Sequence, residues 1–255
     1  MVKGLAVFKE HFAAFQDCYV LIGGSACDIQ MEEAGLDFRA TKDLDLVLCA
    51  EALNEGFVAA FWDFIEKGGY QQREKSEGEK EFFRFIKPTN NEYPAQLELF
   101  SRALEKLPIA EGVKLTPIPV EGEADSLSAI LLDDDYYGCL QQGADIVDGV
   151  RVLKPAYLLV FKAKAYLDLT ARKDAGEAVD SRDIKKHKLD VCRLFQLLPT
   201  DLQLTLPIAV KNDVENFVQN VRDDLPDLKS IGIKNLSAEA LLENISKIYQ
   251  LGEAS

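Results

Sequence analysis

Histidine is nearly absent from this chain: His11 and His187 are the only two, which excludes a histidine-rich metal centre. The five cysteines, Cys18, Cys27, Cys49, Cys139 and Cys192, show no C-x-x-C spacing. They fall mostly on expected buried faces, which points to reduced thiols in a cytoplasmic protein and away from a disulfide frame or a zinc site. No apolar run approaches the ~20 residues of a membrane span. The first residues mix Lys9, Glu10 and His11 into their apolar positions and do not read as a signal peptide. Basic residues are the minority, 29 Lys and Arg against 43 Asp and Glu, for a net charge of −14. Such a chain repels nucleic acid except where its cations gather.

With 255 residues, 47% of them hydrophobic, the chain can bury one large core or two small ones. Two short stretches carry most of its chemistry. Gly23-Gly24-Ser25 follows an apolar run, Tyr19 to Ile22, that reads as a strand, and precedes a helical pattern. A glycine turn entering a helix offers unpaired backbone N–H groups to a phosphate. Asp43-Leu44-Asp45 then opens a second strand that continues through Cys49. Side chains two apart on a strand point the same way, about 6.6 Å apart along it. Two acids so placed suit a divalent metal in phosphoryl transfer. Val47 and Cys49 share the acids' face, and a buried strand does not ordinarily carry two unpaired carboxylates there.

The remaining pattern divides at Pro155. Before it, residues 5–17 and 51–68 read as helices and 71–80 as a loop or hairpin tip. Residues 81–87 and 95–101 read as strands parted by Pro88-Thr89-Asn90-Asn91, and 113–153 as further short strands around Pro117, Pro119 and Asp133-Asp134-Asp135. From Pro155 onward helices are expected at 155–170, 181–198, 208–223 and 237–250. The organisation is therefore a mixed α/β domain over residues 1–154 and a helical domain over 155–255. Between Lys162 and Arg193 nine basic residues face six acidic ones. That local excess permits an RNA contact without favouring one, and a solvated helix face explains it nearly as well.

Three further residues stand out. Glu98 lies on the 95–101 strand with Gln96 and Phe100 on its face, and Leu97 and Leu99 on the other. Lys162 sits in the middle of an apolar helix stripe, with Leu158 and Leu159 before it and Ala165, Tyr166 and Leu169 after it. A lysine there needs an anionic partner or must reach solvent. Asp190 shares a helix side with Leu194 and Leu197, which can turn it towards Lys162; Arg193 is its local alternative. Lys164 has Asp168 four residues on.

Gly23-Gly24-Ser25-Ala26 followed by Arg39-Ala40-Thr41-Lys42-Asp43-Leu44-Asp45 resembles the signature of the DNA polymerase β-like nucleotidyltransferases. More narrowly it is similar to the AbiEii group of toxin–antitoxin toxins. The resemblance is best over the first hundred residues. Leu158-Leu159-x-x-Lys162 and Lys186-His187-Lys188-Leu189-Asp190 extend it to about residue 195. His187 stands where the group's Lys-Asp-x-x-Asp motif has an acid.

The resemblance implies an α+β fold, a nucleotidyltransferase-like mixed β-sheet with flanking helices followed by a mainly helical domain. It implies Asp43, Asp45 and Glu98 as ligands of Mg²⁺ or Mn²⁺. It gives Gly23, Gly24, Ser25 and Lys162 to a nucleoside triphosphate, and adds Lys162 and Asp190 to the catalytic set with the two aspartates. The acceptor could be RNA, a protein or a small molecule, and an antitoxin protein is a possible partner. The alternative is a non-catalytic member of the fold that binds a nucleotide or a partner.

Overall fold

Three strands form the middle of one sheet: the apolar β1 (Tyr19–Ile22) and the alternating β2 (Asp43–Leu48) and β5 (Gln96–Phe100). The computed structural model describes residues 2–49, 51–72, 82–100, 130–131, 133–225, 227–234 and 236–252. Around these strands lie β3 (Gln71–Gln72), β4 (Phe82–Ile86), β6 (Ala144–Val147) and β7 (Val150–Leu153). Among the described residues the sheet has seven strands in the order β3-β4-β5-β2-β1-β7-β6. It is mixed: β2 with β5 and β1 with β7 run parallel, and the other neighbours antiparallel. The chain forms two compact units. One is Met1–Val120 with Ala144–Leu153, and the other is Glu121–Gly143 with Lys154–Ser255.

Alternation on β2 gives the first unit's sheet two different faces. Leu44, Leu46 and Leu48 share one with Tyr19, Leu21, Leu97 and Leu99, all 1% exposed or less. Helices α1 (Leu5–His11) and α3 (Glu55–Gly68) supply aromatic rings to it. Phe8 meets Tyr19 edge-on at 5.2 Å, Phe12 lies 5.2 Å from Phe64, and Phe61 is 5.6 Å from Phe85. Such pairs add directional preference to the burial of apolar area. The other face carries Asp43, Asp45 and Glu98. Helix α2 (Gly23–Glu33) packs against β1, β2 and β6, and Gln30 Nε2 donates to the Leu153 carbonyl at 3.1 Å.

The second unit holds α4 (Asp134–Gly143), α5 (Pro155–Asp174), α6 (Ser181–Phe195), α7 (Ile208–Val221) and α8 (Ala238–Ile248). Tyr249 donates to the Ala156 carbonyl at 2.6 Å, and Tyr136 to Asp213 at 3.0 Å. Lys164 pairs with Asp168 at 3.2 Å and also with Asp213 at 3.3 Å. Among the described residues no helix is long and apolar enough to cross a membrane.

The main elements follow the sequence pattern, with three departures. The helix expected over 5–17 stops at His11. The chain then turns through Phe12 and Phe15 into a short 3-10 turn, Gln16–Cys18, while Phe12 and Phe15 pack on Phe57. The helix expected from 51 starts at Glu55, because Asn54 Oδ1 accepts from Phe57 N at 2.9 Å and caps it. The acidic run at Asp133-Asp134-Asp135, expected among strands, opens α4. Asp133 Oδ1 accepts from Asp135 N and Tyr136 N, and the two following acids suit a helix N-terminus. The part of that expectation over 113–129 lies outside the described residues, as do 73–80 of the loop or hairpin tip expected over 71–80, whose first two residues form β3 against β4.

Candidate functional site

β1 ends in a turn that only glycine can make. Gly23 has φ +68°, and a Cβ placed on it would lie 1.8 Å from Asp45 Oδ2. Both the backbone conformation and the close approach require the missing side chain. Gly24 has less crowded surroundings: a Cβ there would lie 2.8 Å from Thr41 Oγ1 and 3.3 Å from an Arg39 guanidinium nitrogen. The start of α2 thus has the Asp45 carboxylate against Gly23 and Thr41 with Arg39 against Gly24. An acid beside a helix N-terminus is favoured by the macrodipole.

Ser25, the third residue of α2, is 0% exposed, and its hydroxyl donates back to the Ile22 carbonyl at 3.4 Å. It is therefore turned into the protein, not towards solvent. Of the first turn only Gly23 is partly exposed; Gly24, Ser25 and Ala26 are buried.

Asp43 and Asp45 are half-buried and lie on one face of β2. Asp45 stands opposite Ile22 on β1 and opposite Glu98 on β5, and Asp43 opposite Gln96. Glu98 therefore shares the aspartates' face, as the alternation of Leu97 and Leu99 requires. Its Oε1, however, accepts from Arg84 Nε at 2.7 Å, Arg84 Nη2 at 2.5 Å and Gln96 Nε2 at 2.7 Å. Among the described residues no group of three His, Cys, Asp or Glu side chains is gathered so as to hold a metal ion. The donor set that suits a divalent cation is the Asp43–Asp45 pair, hard oxygen ligands on one rigid strand beside a turn that a Cβ would block.

In the second unit, Lys162 of α5 and Asp190 of α6 form a buried ion pair at 3.4 Å. The lysine is 4% exposed and the acid 0%. Arg193 reaches the other Asp190 oxygen at 3.5 Å. The pair gives the lysine on the apolar stripe its anion. Lys188, also buried, bonds to Asp224.

Sequence reasoning passed over three of these neighbours. Arg39 and Thr41 were inside the quoted motif but carried no role, because their packing on Gly24 depends on how residues 34–42 return to β2. Arg84 gave no signal, since its meeting with Glu98 follows from the β4–β5 register.

No family model and no curated protein matches this chain. Among solved structures it is similar to the crystal structure of an antigenic nucleotidyltransferase-like protein from Paracoccidioides brasiliensis. The two are 16% identical with a TM-score of 0.46, over 97% of this chain and 94% of that one. At that identity the likeness assigns no role to any residue here.

Proposed function

We propose that this chain is a metal-dependent nucleotidyltransferase, similar to the AbiEii group, that moves a nucleoside monophosphate from a nucleoside triphosphate to an acceptor hydroxyl. The observation that carries the reading is Asp45 seated against Gly23, with Asp43 beside it on the same strand face. Acid pair and glycine turn meet at the mouth of a helix, where phosphates and a cation can be held together.

Asp43 and Asp45 would hold Mg²⁺ or Mn²⁺, which when bound offsets the negative charge of the triphosphate. Backbone N–H groups of the first turn of α2 bind phosphate oxygens, and Gly23 and Gly24 let them approach. The acceptor hydroxyl loses its proton to solvent as its oxygen attacks the α-phosphorus, the bond from that phosphorus to the α,β-bridging oxygen breaks, and pyrophosphate leaves. Catalysis of this kind is mostly positioning and charge stabilisation. The resemblance gives Lys162 and Asp190 a part in nucleotide handling, and that part belongs to this proposal. So do an antitoxin partner and a cytoplasmic location.

The test incubates the protein with each labelled nucleoside triphosphate, Mg²⁺ and either total cell RNA or lysate. Label should enter one acceptor fraction, and Asp43→Asn/Asp45→Asn should abolish it. No label with any of the four nucleotides, or equal labelling by the variant, rejects the enzyme. One observation favours a second reading, a non-catalytic binder: the third acid, Glu98, is engaged by Arg84. That reading requires a metal-dependent nucleotide stabilisation without transfer.

A further inference from the structure

Glu98 and Asp45 stand opposite each other on neighbouring strands and share a face. Like charges so placed repel. Glu98 is compensated from its other side by Arg84, which is its partner on β4. Three donors converge on Glu98 Oε1, two from that guanidinium and one from Gln96. Oε1 has little capacity left for a cation, and these three donors, not a metal, set how the carboxylate is turned. Charge-assisted bonds at 2.5 and 2.7 Å are also the strong kind, and they fix the orientation of both partners.

Resting on the reading above, we propose that Glu98 is a positioning residue and not a metal ligand. It pins Arg84 on the acid-bearing face of the sheet, where the guanidinium binds a phosphate of the triphosphate held at Asp43 and Asp45. The sheet order supplies the direction. β1 and the Gly23 turn lie on one side of β2, whereas β5 and β4 lie on the other. The acid pair is thus flanked by Arg39 on the turn side and Arg84 on the opposite side. The Arg84 side chain remains 26% exposed while its partner is 10% exposed. The planar guanidinium fork matches phosphate oxygens better than any other side chain. An arginine already held by a carboxylate also loses less freedom on binding.

The test separates the cation from the nucleotide. Mn²⁺ binding to the nucleotide-free protein is measured by electron paramagnetic resonance, and binding of ATP, GTP, CTP and UTP with Mn²⁺ by calorimetry. The variants are Glu98→Gln, Arg84→Met, the double Arg84→Met/Glu98→Met and Asp45→Asn. The double variant replaces the ion pair by apolar side chains, a change that folded proteins commonly tolerate. Expected is unchanged Mn²⁺ affinity in the first three variants. Each of these should weaken the best nucleotide about tenfold, the loss of one charge-assisted contact, and the double variant no more than Arg84→Met alone. Weakened Mn²⁺ binding in both Glu98→Gln and the double variant makes Glu98 a ligand and overturns the proposal. Wild-type nucleotide affinity in Arg84→Met and the double variant overturns it as well. Wild-type Mn²⁺ affinity in Asp45→Asn would instead reject the underlying metal site.

Discussion

Asp45 Oδ2 occupies the space beside Gly23 so closely that a single added carbon would lie 1.8 Å from it. Gly23→Ala should therefore do two things. It forces φ +68° on an L residue, which costs about 1 kcal/mol, and it displaces the Asp45 carboxylate. Gly35→Ala is the control, since Gly35 has φ +70° with nothing within 4 Å of its Cβ position. The two variants should share the strain, and only Gly23→Ala should lose the Mg²⁺-dependent rise in Tm with a nucleoside triphosphate. An equal nucleotide response in both would detach Asp45 from the site.

The Lys162–Asp190 pair is buried on both sides. Asp190→Ala takes the carboxylate away from both Lys162 and Arg193 and should cost about 3–5 kcal/mol in urea unfolding. Lys162→Met/Asp190→Leu should recover most of that. If the double variant is as stable as wild type but binds nucleotide about tenfold more weakly, the lysine serves the ligand. If its nucleotide affinity is unchanged, the pair is purely structural.

Alkaline pH should destabilise the second unit. Burial pushes the Cys139 thiol up to about 11, helped by Asp135 and Asp133, and pushes the Cys192 thiol up to about 11 against the pull of Lys188 and Arg193. An ordinary thiol sits at 9.0. Between those values the unfolded chain releases protons that the folded thiols retain. Stability is therefore full below pH 9 and falls as pH rises towards 11. Burial raises the phenols of Tyr136 and Tyr249 as well, which extends the loss upward. Tm should drop between about pH 8.5 and about pH 10.5, less steeply in Cys139→Ala. A flat profile contradicts the burial of these groups.

Asp133 caps α4 through two backbone N–H groups. Asp133→Ala should lower stability by about 1 kcal/mol, and Asp133→Asn should restore most of it. Chemical denaturation reads both. No change would mean that α4 contributes little to the cooperative unit.

The sheet's middle was legible because β1 is an unbroken apolar run and β2 and β5 alternate acids or amide with buried leucines, the two-residue period of a strand. The side on which Glu98 stands was legible too, because alternation is a local rule. What Glu98 does there was not. Its orientation depends on Arg84, fourteen residues away, and strand register is decided by the whole sheet and not by either strand. Ser25 shows a similar limit. The resemblance gives Ser25 to the triphosphate, yet Ile22 supplies an acceptor three residues back and the buried hydroxyl turns inward. The acidic run at 133–135, expected among short strands, instead opens a helix, because Asp133 caps its first backbone N–H groups and the two following acids suit a helix N-terminus.

The strand order also governs how the first unit can be assembled. β7 lies beside β1 although it ends at Leu153, more than a hundred residues later along the chain. Until that segment arrives, the outer edge of β1 presents unpaired backbone groups of a buried, wholly apolar strand, the kind of surface that recruits foreign strands. Nor would cutting the chain after Val120 isolate the acid-bearing sheet. It would remove β6 and β7 and turn an interior strand into an edge, so an expressed fragment of that length should self-associate. A fragment that works must carry the chain through Leu153, and α4 with it.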